Sequence, residues 1–114
     1  MISDNLRRLL LEFRSERDWE QFHSARTLSI AISVEAAELL EHFQWIPDAE
    51  IADQALERKD EIGEEIADLA ILLTYLSHDL SLDMEEIVQA KLKKNAEKYP
   101  VEKFKGSAKK YSRL

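Results

Sequence analysis

Two glycines and two prolines are all that this chain of 114 residues contains. A sequence so poor in both cannot make the many tight turns of a β-sandwich or barrel. It is driven instead toward long helices joined by short connections. Short connections set successive helices antiparallel, so the expected architecture is all-α: an antiparallel four-helix bundle in one domain over residues 1–114. An apolar content of 45% is that of a folded protein with a core, though a chain of this size has little core to spare.

Apolar spacing predicts the elements. A first helix covers residues 3–16, with Ser3 or Asp4 as N-cap and Leu6, Leu9, Leu10 and Phe13 on one face. Residues 16–23 are dense in aromatic and charged groups without a clean period and read as a loop or broken turn. In it Trp19 and Phe22 either pack or wall a pocket. A second helix runs from Ser24 to Trp45 and is apolar around most of its circumference, which marks it as central. Pro47 ends it, and residues 48–56 form a connection with one helical turn. A third helix over 57–79 carries Ile62, Ile66, Leu69, Leu73 and Leu76 as a stripe. The fourth, over 84–98, starts at a capping-box-like Asp83 and Glu86 and turns Met84, Ile87, Val88 and Leu92 inward. Residues 100–114 are too polar for a core helix and are expected to form a strand-like or irregular arm.

Charge and composition exclude several classes. A net charge of −7 argues against nonspecific nucleic-acid binding. Its distribution is uneven: Lys103, Lys105, Lys109, Lys110 and Arg113 face Glu102 alone in the last fifteen residues, a net of +4 that leaves −11 on the first 99. The absence of cysteine rules out disulfides, thiolate metal sites and a cysteine nucleophile. No apolar run is long enough to span a membrane, and the first twenty residues carry charges of both signs, unlike a secretory signal. A cytoplasmic location is the default expectation.

Two short stretches carry the chemistry: Glu35-Ala-Ala-Glu38 and Glu65-Ile-Ala-Asp68. Each sets two acids three residues apart, on one face of a helix. Glu35 lies among Ala31, Ile32 and Leu39 rather than on a polar stripe, with Glu38 and His42 close by on the same side. An acid in such surroundings takes up a proton, finds a cation, or holds a metal. If helices two and three face each other, the four acids converge into a set of hard oxygen ligands suited to Mg²⁺ or Mn²⁺. Mg²⁺ binds substrate phosphates and activates water, which makes nucleotide phosphates the natural substrate group. A ferritin-like di-iron site is disfavoured, because the one Glu-x-x-His spacing, Glu20 to His23, sits in the irregular segment. Chance also produces such acidic spacings on solvated faces, and Glu61 and Glu64 fit that description. Trp19 and Trp45 can stack on a base, although a tryptophan beside a bundle is more often core or interface. Lys91 and Asn95, one turn apart, can reach phosphate or sugar, although a lone lysine usually lies on a solvated face.

Together these residues resemble the all-α nucleoside triphosphate pyrophosphohydrolases, the MazG-like superfamily, and within it the dCTP pyrophosphatase branch. The acidic quartet is joined by Glu16-Arg-Asp-Trp-Glu-Gln-Phe-His23, Phe43-Gln-Trp45, Lys91-x-x-x-Asn95, Lys98-Tyr-Pro-Val101 and Gly106-Ser-Ala-Lys-Lys-Tyr111, which span nearly the whole chain. The resemblance implies Mg²⁺-dependent cleavage of a (deoxy)nucleoside triphosphate to the monophosphate and pyrophosphate, in the service of nucleotide-pool sanitation. It implies that Glu35, Glu38, Glu65 and Asp68 hold the metal and orient the attacking water. Trp19 and Trp45 would flank the base, and Lys91 and Asn95 would lie near phosphates and sugar. It further implies self-association, as a homotetramer or homodimer. Two positions depart from the branch: Leu10 stands where eukaryotic relatives have histidine, and Leu72 where they have tyrosine. Both bear on the base and sugar pocket, so the choice of base and sugar stays open, with dCTP and modified pyrimidine nucleotides among the candidates. Tyr75 is the nearby candidate to replace the missing tyrosine. The rival expectation is a catalytically silent helical assembly module whose acids pair with Lys and Arg across subunits.

Overall fold

Polar residues at the helix starts set the frame. Ser3 Oγ accepts from the Leu6 amide at 3.2 Å and opens α1, Asp4–Glu16. Ser24 and Thr27 form a reciprocal capping box, each side chain accepting the other's amide, and open α2, Ala25–Glu41. Such caps are worth about 1 kcal/mol each. The computed structural model describes residues 2–113, and these divide into two compact units, Ile2–Ser81 and the residues from Leu82 onward.

The first unit also contains α3, Ile51–Glu57, and α4, Lys59–Asp79. Its main helix pair is α2 with α4. His23 stacks near Tyr75 (ring centroids 5.6 Å apart), and Arg58 Nη1 donates to the His42 carbonyl at 3.2 Å. Rising numbers on one helix therefore meet falling numbers on the other, and the pair is antiparallel as expected. Leu28 is the fully buried aliphatic side chain of α2, and Tyr75 and Thr74 are buried on α4.

A part-buried ion pair fastens α1 to α4. The Arg14 guanidinium, only 4% exposed, donates two hydrogen bonds to Asp79, at 2.8 and 2.9 Å. It also lies 4.7 Å from the Tyr75 ring centroid, and Tyr75 Oη donates to the Leu10 carbonyl at 3.0 Å. The bidentate bond holds the Asp79 carboxyl below its ordinary range and raises Arg14, while burial pushes the Tyr75 phenol up. With Arg14 held inward, the buried face of α1 matches the expected one only in part. Leu10, Leu11 and Arg14 turn inward, whereas Leu6, Leu9 and Phe13 stay exposed.

Several boundaries differ from expectation. Residues 16–23 hold a 3₁₀ turn, Trp19–Phe22, entered through Asp18 in the left-handed region (φ 55°). The second helix stops at Glu41 rather than Trp45, because the chain turns through His42–Trp45 before Pro47. The connection at 48–56 contains a 3₁₀ turn, Asp48–Glu50, and all but the last residue of α3, a seven-residue helix.

In the second unit, α5, Met84–Lys98, starts at Asp83, whose Oδ1 accepts from the Glu86 amide at 3.0 Å. The following arm is not strand-like. It forms α6, Val101–Phe104, and a 3₁₀ turn, Tyr111–Arg113; no strand occurs among the described residues. Here the Tyr99 ring meets Phe104 and Tyr111 edge-on, at 4.8 and 5.8 Å between centroids, and Lys98 Nζ lies 5.0 Å from the Tyr111 ring. Of the expected inward stripe on α5, Ile87, Val88 and Leu92 are exposed. Among the described residues no helix is long and apolar enough to cross a membrane.

Candidate metal centre

The antiparallel pair α2 and α4 brings carboxylates from both helices together. Glu35 and Glu38 lie one turn apart on α2, and Glu65 faces them from α4. Each offers an oxygen, and the three oxygens lie within 4.8 Å of one another. All three side chains are half-buried. One oxygen of Glu35 and one of Glu65 are buried with no hydrogen-bond donor.

The electrostatics follow from that crowding. Burial pushes the Glu35 pKa up from 4.5 to about 7, helped by hydrogen bonds to Glu65 and Glu38 and by the charges of Glu38 and Asp68. Carboxylates bond to one another only through a proton, so the orphaned oxygens and the raised pKa have one cause. Negative groups this close need protons or a cation between them. A small, hard divalent ion such as Mg²⁺ or Mn²⁺ fits an all-oxygen donor set that leaves buried lone pairs unpartnered. His42 Nε2 approaches Glu65 Oε1 at 3.8 Å.

The other expected site residues are placed as follows. Asp68 lies about one turn beyond Glu65 on α4, exposed and outside the three-oxygen group, yet its charge contributes to raising Glu35. Trp19 begins the 3₁₀ turn after α1 and packs edge-on against Phe13, 5.6 Å between centroids. Arg17 covers the Phe13 ring at 3.6 Å. Trp45 lies in the turn after α2 and is 86% exposed. Lys91 and Asn95 lie one turn apart on α5, in the second unit, with Lys91 exposed and Asn95 half-buried. Leu10 and Leu72 are half-buried. Tyr75, the nearby tyrosine on α4, is buried, and its hydroxyl donates to the Leu10 carbonyl.

Nothing in the sequence marks Arg14 as an inward-facing residue. It follows Phe13 on an amphipathic helix, where an arginine reads as solvated, and its partner Asp79 is 65 residues away. No local pattern links the two. His42, by contrast, has a local signal in its i, i+4 spacing from Glu38.

The same chain is similar to characterised proteins over almost its full length. It is 42% identical over 113 residues to "dCTP pyrophosphatase 1" of Rattus norvegicus and to that of Bos taurus, covering 97% of this chain and 66% and 67% of those proteins. It therefore spans about two thirds of the length of these relatives, and just under that for the rat protein. The human protein of the same name is 37% identical over the same length. Among solved structures, a pyrophosphatase from Archaeoglobus fulgidus superposes with a TM-score of 0.82 at 41% identity, over 85% of this chain and 91% of the other. The family model described as MazG-like matches residues 30–114, which include both acidic pairs. An all-helical fold, paired acidic helices and these matches lead to one conclusion: the chain belongs to the MazG-like family.

Proposed function

We propose that this protein is a Mg²⁺-dependent nucleoside triphosphate pyrophosphohydrolase, converting a (d)NTP to the monophosphate and pyrophosphate. The observation that carries the proposal is the three-carboxylate cluster with two buried, unpartnered oxygens. Its similarity to dCTP pyrophosphatases supports the substrate class. Glu35, Glu38 and Glu65 hold the ion, with Asp68 beside them. Bound Mg²⁺ supplies neutralising charge for the triphosphate and polarises water. A carboxylate of the quartet that is not serving as ligand takes the proton of the attacking water. Trp19 and Trp45 supply aromatic surface for the base, and Lys91 and Asn95 supply donors for phosphate and sugar. The leucines at 10 and 72 shift the preferred base or sugar, within dCTP or modified pyrimidine nucleotides. The role is nucleotide-pool sanitation in the cytoplasm, on free nucleotides rather than nucleic acid.

Self-association belongs to the same proposal. One face of α2, with Arg26, Ser29, Ile30, Ser33, Val34 and Ala37, lines an open, largely apolar groove, and Ile30 and Val34 are at least half exposed. A second copy of the chain covers it, in a homodimer or homotetramer.

The test is a hydrolysis panel: each standard and several modified nucleoside triphosphates, with Mg²⁺ or with EDTA, and products resolved by chromatography. Monophosphate plus pyrophosphate, formed only with metal, is the expected result, and Glu38→Gln should fold normally yet lose at least a hundredfold in rate, about 3 kcal/mol. Diphosphate plus orthophosphate would mean another chemistry. No turnover of any substrate would favour a silent assembly module.

A further inference from the structure

Glu65 has a neighbour that the chemistry above leaves unused. His42 follows the last residue of α2, about one turn beyond Glu38, and its Nε2 lies 3.8 Å from Glu65 Oε1. Both side chains are well shielded, at 14% and 19% exposure. The backbone under the ring is anchored from across the site, since Arg58, between α3 and α4, donates to the His42 carbonyl at 3.2 Å. Phe43 meets the imidazole edge-on, with centroids 6.4 Å apart. These contacts restrict where the ring can go.

A ligating carboxylate must present an oxygen to the ion while the group as a whole is kept from rotating. Proteins commonly meet that need with a hydrogen-bond donor behind the ligand, and loss of such a donor weakens metal binding by about 10–100-fold. One oxygen of Glu65 is buried without a hydrogen-bond partner. His42 is the nitrogen-bearing side chain within ion-pair reach of it. The present separation of 3.8 Å is within ion-pair range and longer than a hydrogen bond.

We propose that His42 is a positioning residue for the divalent cation, its Nε2–H donating to the Glu65 carboxylate and holding it in ligating orientation. The inference rests on the metal-site reading given above. It concerns a tautomer with the proton on Nε2, and it asks no proton transfer of the histidine during the reaction.

Titration of the full chain with Mn²⁺ at one fixed pH, followed by calorimetry and by the rise in melting temperature, tests it without reference to turnover. The amide nitrogen of glutamine takes the place of Nε2, whereas that of asparagine takes the place of Nδ1. His42→Gln is therefore expected to bind Mn²⁺ within a few-fold of the unmodified chain, and His42→Asn at least roughly tenfold more weakly. Metal-free melting temperatures report whether each variant folds, and His42→Leu serves as a second donor-free variant where asparagine does not. Wild-type affinity in a folded donor-free variant overturns the proposal, as does equal weakening of Gln and Asn. Failure of the unmodified chain to bind Mn²⁺ is a separate result: it removes the metal site, and this inference with it.

Discussion

The pKa of Glu35 is raised from an ordinary 4.5 to about 7 in the folded chain, because it is partly desolvated beside other carboxyls. An acid with a raised folded-state pKa binds its proton more tightly folded than unfolded. Its stabilising effect is then complete below the unfolded value, near 4.5, and is lost as pH rises through about 7. Thermal melts in EDTA should accordingly show a midpoint that falls between about pH 5 and pH 8. Glu35→Gln, neutral throughout, should flatten that fall, and saturating Mg²⁺ should reverse it in the unmodified chain at the alkaline end. Parallel pH profiles for variant and parent would show that Glu35 is not the source.

Helix α4 carries a weakness in its own first turns. Gly63 sits between Ile62 and Glu64, inside the helix, where glycine costs up to about 1 kcal/mol relative to alanine. A Cβ built there meets nothing within 4 Å, so this chain gives the glycine no steric reason. Gly63→Ala should raise stability by about 0.5–1 kcal/mol, measured by urea unfolding, with Mn²⁺ affinity unchanged. A loss of stability instead would show that another surface approaches α4 at this point. The other end of the same helix is secured differently, through Asp79 and the buried Arg14 of α1. That pair is a reason for α1 to expose Leu6, Leu9 and Phe13 while an arginine faces inward.

For the molecule as a whole, the outward apolar residues of α2 set a test of assembly. Ile30→Glu with Val34→Glu puts two charges on the groove face, and burying unpaired charge in an interface is costly. If copies of the chain meet on this face, light scattering should show the doubly substituted chain at a lower mass than the parent at equal concentration; an unchanged mass would mean that they do not meet there. Much of this protein is legible in its sequence. Scarce glycine and proline dictated helices, Ser3 and Asp83 announced two of their starts, and Glu35 among alanine, isoleucine and leucine marked the face on which the carboxylates meet, since each of these is a local property of short stretches. Helix ends were less legible at Trp45 and in residues 48–56, where turns and short helices compete within a fraction of a kcal/mol per residue. What required the fold were the contacts between residues far apart in the chain. Arg14 with Asp79, Tyr75 with Leu10 and His42 with Glu65 depend on how helices are rotated and set against one another. Periodicity shows which residues share a face of one helix, but not what that face meets, because packing is decided by surfaces that only the folded chain brings together.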